Sequence, residues 1–185
     1  MKHILRILLI AGVCASPAAA QSPDMLAQMA ANPVSQTTRM MFEQYSRNMI
    51  AAAELMPADR YGFRPTEAQM TFGQLIAHIA QTNQFVCSAI GGSPDPAPPT
   101  TPTEADPRDV LLDAVRASFD HCSAALADLT DAQAAEQIAM GTQNLPRAYF
   151  MFVIVADWAD HYSTQASYLR LNDILPPSAR PPAGR

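Results

Sequence analysis

Basic residues are scarce in this chain: twelve Lys and Arg stand against seventeen Asp and Glu in 185 residues, a formal net charge of −5. A surface of that sign repels polyanions, which argues against nucleic acid and anionic lipid as partners. Glycine is sparse, with seven in all, and no Gly-rich phosphate loop, heptad or internal repeat occurs. The first absence removes the usual phosphate cradle and the other two remove coiled coils and repeat arrays. Runs of β-branched residues are few. What remains is rich in Ala, Leu and Met, a composition that favours helices.

No apolar stretch near the start is long enough to span a bilayer. Residues 1–20 instead have the layout of a secretory leader: Lys2 and Arg6, an apolar stretch from Ile4 to Val13, and Ala18, Ala19 and Ala20 before Gln21. A lipoprotein reading of Cys14 is disfavoured because Val13 stands where a small Gly or Ala is wanted. Cleavage after Ala20 would place the chain in a periplasm or outside the cell. It removes two basic and no acidic residues, leaving ten against seventeen and a net charge of −7. After cleavage no membrane association is expected.

About 165 residues then remain, enough for one domain with a single core. Two cysteines survive, Cys87 and Cys122. In an oxidising compartment such a pair reads first as a disulfide, with two buried thiols as the alternative.

Along the chain, residues 21–32 read as a flexible, Ala-rich lead-in. From Pro33, residues Met40, Met41, Tyr45, Met49, Ala52, Ala53 and Met56 recur at helical spacing, until Pro57 stops the pattern. The segment "ADRYGFRPTEAQ" is a loop, with Tyr61 and Phe63 turned to the bundle. Thr71 and Gln74 form a capping-box pattern that opens a second helix, closed by Gly91 and Gly92. Residues 93–107 hold six prolines and are expected to be an extended crossover. Asp106 as N-cap and Pro107 in the first turn would launch a third helix whose stripe is Val110, Leu111, Ala114, Val115, Ser118, Phe119, Cys122, Leu126 and Leu129. Residues 130–145 look irregular and suited to a pocket mouth. A last helix runs from about Pro146 to Asn172, and residues 179–185 read as a loose tail. Four long helices of this kind imply an all-α four-helix bundle over residues 33–178.

Chemistry concentrates in "VADWADHYSTQASYLRLN". Asp157 and His161 stand four apart and share a helix face, so both can reach one metal ion, whereas Asp160 is turned about 100° away. With His78 they make two histidines and one carboxylate, a set that suits zinc or non-haem iron(II). Asp157 lies in an apolar stretch, where an unpartnered carboxylate is costly to bury. A solvated or ion-paired Asp157 is the plainer alternative. His121 sits beside Cys122 on the third helix and is a weaker rival ligand. Tyr162 and Arg170 read as structural braces.

"MPADRYGFRPTEAQMTFGQLIAHIA" and, after a variable middle, "DHYSTQASYLRLNDILPPS" resemble the DinB/YfiT-like superfamily of four-helix metalloproteins over roughly residues 33–178. The resemblance implies an up-down-down-up bundle with a divalent metal, such as zinc, nickel or iron, held by three histidines at one end. Its second-helix histidine corresponds to His78 and its last to His161, while the position four residues earlier is Asp157 here. Some members of that family are thiol-dependent transferases, and others are hydrolases or isomerases of small molecules. The expectation is therefore an exported small-molecule hydrolase or group transferase. A non-catalytic bundle with a degenerate site is the rival, and a homodimer formed through the helix faces stays open.

Overall fold

The computed structural model describes residues 23–92, 103 and 105–181. The leader with Cys14, most of the Pro-rich crossover and residues 182–185 lie outside the described residues. Six helices and one hairpin occur among them: α1 (Pro23–Ala31), α2 (Pro33–Leu55), α3 (Phe72–Gly91), α4 (Arg108–Leu126), α5 (Asp131–Ala134), β1 (Gln137–Met140), β2 (Gln143–Pro146) and α6 (Arg147–Leu171). No described helix is long and apolar enough to cross a membrane.

The four long helices α2, α3, α4 and α6 form the bundle, and their cross-links fix its direction. Asn83 meets Ser118 and Cys87 meets Cys122, so α3 and α4 run parallel. Phe42 packs on Trp158, Tyr45 on Tyr162, and Gln165 Nε2 donates to Met49 O, so α2 and α6 are parallel too. His78 faces His161 while Asn83 meets Trp158, which makes α3 and α6 antiparallel. This is the up-down-down-up order, and it requires a long connection between the parallel pair α3 and α4.

Each helix starts where local chemistry allows. Thr71 Oγ1 accepts from Gln74 N at 3.1 Å and Gln74 Oε1 accepts from Thr71 N at 2.6 Å, the reciprocal box that opens α3. Gly92, at φ +82°, ends the same helix in the left-handed conformation. Helix α4 begins one residue later than the sequence suggests. Pro107 is extended and takes the N-cap position, and the Asp106 carboxylate instead accepts from Thr103 N and Oγ1.

The core runs the length of the bundle. Met49, Met56, Phe72, Ile76, Ile79, Ile90, Leu111, Leu126, Met151, Ile154, Trp158 and Leu169 are wholly buried in it. Two positions assigned to buried stripes face outward, Met40 at 49% and Val110 at 47% exposure. Leu111 and Leu112 take the inward place beside Val110, because adjacent helical residues point about 100° apart. Tyr61 is buried and its hydroxyl donates to Ala53 O at 2.8 Å. Loss of solvent around the phenol pushes its pKa up to about 12 despite the nearby Arg108.

Two segments differ from the sequence reading. The lead-in is not without structure, since residues 23–31 form α1. Residues 130–145 are not irregular: a second capping box, Thr130 with Gln133, opens α5, and a hairpin follows with Met140 opposite Gln143. Gly141 sits in its turn at φ +58°, a conformation glycine adopts without a Cβ penalty. The hairpin feeds α6 at the bundle end where α3 finishes, so it cannot border a pocket at the other end.

Side chains from neighbouring elements close the helix termini. Asp131 accepts from Val34 N at 3.0 Å and Ser35 N at 2.8 Å, capping α2 from another element, while Asn32 Oδ1 accepts from Asp131 N. Burial alone would raise the Asp131 pKa, but these N–H donors and Arg39 outweigh it and hold it below the usual value. Three arginines serve the opposite polarity. Arg39 donates to Leu126 O and Leu129 O, Arg108 to Glu54 O and Met56 O, and Arg147 to Ile90 O. Each places a cation on the carbonyls at a helix C-terminus, where the peptide dipoles favour it. Asp131→Ala is expected to destabilise the fold by about 1 kcal/mol, as loss of an N-cap does. Urea unfolding of the variant against the wild type measures this.

Candidate metal centre

His78 lies six residues beyond Phe72, the first residue of α3, roughly 9 Å along the helix axis from it. Asp157 and His161 lie on α6, and the antiparallel packing of α3 on α6 brings all three to one place, in the half of the bundle where α3 begins and α6 ends. The two imidazole rings stand edge to face with centroids 4.9 Å apart. His161 Nε2 is 3.2 Å from Asp157 Oδ1. One ligand atom from each of His78, Asp157 and His161 lies within 4.8 Å of the others, and all three residues are partly buried.

The donor chemistry fits an ion. Two ligand atoms bound tetrahedrally at zinc distances are about 3.3 Å apart, close to the spacing of Nε2 and Oδ1. These two groups are not directed at each other as a hydrogen bond: His161 Nε2 and Asp157 Oδ2 are both buried without a hydrogen-bond partner among the described residues. A buried polar atom left without a partner carries a free-energy cost, and a shared cation would remove it for both. His78 Nε2 lies 3.5 Å from Thr82 Oγ1, a contact one helical turn away on α3.

Charge at the site favours protonated His161 when no ion competes. Burial pulls its pKa down, yet the Asp157 carboxylate 3.2 Å from Nε2 and the charge of Asp160 outweigh it, and the net shift is upward from 6.5. Since the folded value is the higher one, the stabilisation is complete below the ordinary imidazole pKa and disappears as pH rises through the folded value. In metal-free protein, the stability advantage of the wild type over His161→Gln should therefore shrink from mildly acidic to alkaline pH. Paired denaturation curves across that range measure it, and an advantage that grows with pH would contradict this sign.

Other residues read from the sequence lie elsewhere. His121 Nε2 is 2.8 Å from Ser88 Oγ, between α3 and α4 and outside the cluster. Cys87 and Cys122 are bonded to each other in the buried seam of the same two helices. Next to them Trp158 Nε1 donates to Asn83 Oδ1 at 2.7 Å and Asn83 Nδ2 to Ser118 Oγ at 3.0 Å, so the polar groups of this seam are satisfied. Tyr162 OH accepts from Ser178 N and ties the C-terminal segment down. Asp160 is offset about 100° around the helix from His161, but its Oδ2 still comes within 3.4 Å of His161 Nδ1, a contact that helical spacing alone did not reveal.

A cleft of about 480 Å³ opens beside the cluster, with His78 in its wall. Arg64, Glu67, Gln69 and Met70 from the loop before α3, and Gln74 and Gln81 on α3, form most of the rest. The sequence signal for this wall was the Phe-x-Pro loop leading into the histidine helix; which of its side chains face the cleft depends on the loop's path.

The fold has counterparts. A family model described as the DinB superfamily matches residues 41–164. A DinB-like protein from Bacillus subtilis superposes with a TM-score of 0.61 at 18% identity, covering 74% of this chain and 92% of that one. A DinB-like protein from Bacillus cereus gives 0.57 at 15% identity, covering 74% and 93%. A mutant of a mycothiol-dependent maleylpyruvate isomerase gives 0.54 at 13% identity, covering 71% of this chain and 58% of its own. No curated protein matches. At these identities the structural likeness speaks to the fold, and the family match spans two thirds of the sequence: the chain belongs to the DinB superfamily.

Proposed function

We propose that this chain is an exported metalloenzyme that binds one divalent ion through His78, Asp157 and His161 and acts on a small molecule as a hydrolase or group transferase. The observation that carries the reading is the convergence of two imidazoles and a carboxylate from separate helices, with two of their polar atoms buried and unpartnered. Zinc, nickel and iron(II) all accept such donors. Three protein ligands leave coordination positions open, as catalytic sites do and closed structural sites do not. When bound, the ion would supply Lewis acidity and lower the pKa of a coordinated water or thiol.

The chain's own groups have defined parts. His78 stands in the cleft wall, so a molecule entering the cleft meets the cluster from that side. Asp157 contributes negative charge where the three-histidine pattern has none, which partly neutralises a divalent ion. Mycothiol dependence is a property of the isomerase with the similar fold, and export makes a cytoplasmic thiol less available. Hydrolysis, which needs only water, is therefore the branch we favour.

The leader-like start and the Cys87–Cys122 bond support placement in a periplasm or outside the cell. Nucleic acid and membrane are not partners in this reading, and the small-molecule substrate is the partner it requires. A second reading draws on Asp157 itself: a bundle that lost a histidine ligand could persist as a binding module. Metal analysis of the chain from residue 21 onward separates the two. About one equivalent of ion per chain supports the enzyme reading, and protein that stays metal-free after incubation with zinc, nickel and iron(II) rejects it.

A further inference from the structure

We propose that Asp160 is a positioning residue of this centre: its carboxylate accepts the Nδ1 hydrogen of His161 and so presents Nε2 as the ligating nitrogen. The inference rests on the metal reading above and adds a residue that reading does not use. His161 lies between two carboxylates, with Asp160 Oδ2 at 3.4 Å from Nδ1 and Asp157 Oδ1 at 3.2 Å from Nε2. A neutral imidazole carries one N–H, and the nitrogen that keeps it cannot ligate. Holding the hydrogen on the Asp160 side leaves the lone pair of Nε2 directed to the buried side, where Asp157 also offers an oxygen.

Burial separates the two carboxylates. Asp160 is 78% exposed and Asp157 20%. The exposed one stays hydrated on the bundle surface and holds the ring from outside; the buried one shares the interior with the ring's other nitrogen, which has no hydrogen-bond partner. Asp160 lies on the Nδ1 side of the ring, largely in solvent, and Asp157 on the Nε2 side, so the two carboxylates hold opposite edges of the imidazole. A carboxylate that accepts the outer N–H of a ligating histidine fixes the ring and raises its basicity, an effect worth about 10–100-fold in metal affinity. Solvent exposure places Asp160 at the lower end of that range.

The experiment measures zinc affinity of the chain from residue 21 onward by competition with a chromophoric chelator, for wild type, Asp160→Ala and Asp160→Asn. Asp160→Ala should weaken binding about tenfold. Asp160→Asn keeps an oxygen acceptor without the charge and should stay nearer the wild type. At alkaline pH, where His161 is neutral, thermal midpoints of the metal-free proteins should coincide, since the side chain is largely in solvent. Nitrogen-15 spectra of the zinc-loaded wild type should show His161 bound through Nε2 with Nδ1 protonated. Wild-type affinity in Asp160→Ala, equal weakening in both variants, or zinc on Nδ1 would each overturn the assignment while leaving the metal reading intact. A wild type that takes up no zinc removes the metal reading for that ion, and the role of Asp160 with it.

Discussion

His78→Ala and His161→Ala should each weaken metal binding by more than about 100-fold, because losing a ligand costs more than losing the outer partner of one. Both rings belong to the only group of His, Cys, Asp or Glu among the described residues placed to share an ion. Both rings are partly buried and neither belongs to the apolar core, so both variants should retain their helical circular dichroism and the larger loss should be of the ion. Asp157→Asn is expected to weaken binding as well, since it removes the charge that partners the cation. Asp157→His, which restores the family's three-histidine pattern, should keep binding. Equilibrium dialysis against buffered zinc reads all four, and His78→Ala that binds as the wild type does would detach His78 from the centre.

Removing the bond between Cys87 and Cys122 should cost about 3–4 kcal/mol, the chain-entropy value for a loop closed over a separation of 35 residues. That loop contains the crossover between the parallel helices α3 and α4, which no tight turn can shorten. Without the bond the unfolded chain regains this freedom, and the midpoint of thermal unfolding should fall by roughly 10 °C. Cys87→Ser with Cys122→Ser, compared with the oxidised wild type, measures the effect. A midpoint within one degree of wild type would show that helix packing alone secures the seam. In the denatured, unreduced wild type lacking residues 1–20, a thiol reagent should find no free cysteine.

Much of the bundle is written in local pattern. Apolar residues at helical spacing mark α2, α3, α4 and α6, and the capping box at Thr71 and Gln74 marks the start of α3, because both signals arise within a few residues of one another. The hairpin at residues 137–146 has no comparable pattern. Its strands are four residues each and their exposed positions outnumber the buried ones, so no alternation announces them. Asp131 likewise reads as a loop residue until α2 is packed beside it, since its partners Val34 and Ser35 lie almost a hundred residues away.

The centre divides the same way. That Asp157 and His161 share a face follows from the 3.6-residue turn, which needs nothing beyond the helix itself. That Asp160 also reaches His161 does not follow from it, because the contact is made by side-chain rotation rather than by spacing. The address of His78 opposite His161 is a property of the antiparallel packing of α3 on α6, which only burial of the shared core can set. Helices form from neighbours along the chain, and the amino-acid order therefore states them outright. A site built across helices exists only where the core has chosen which faces meet, and that choice is made by the whole folded molecule at once.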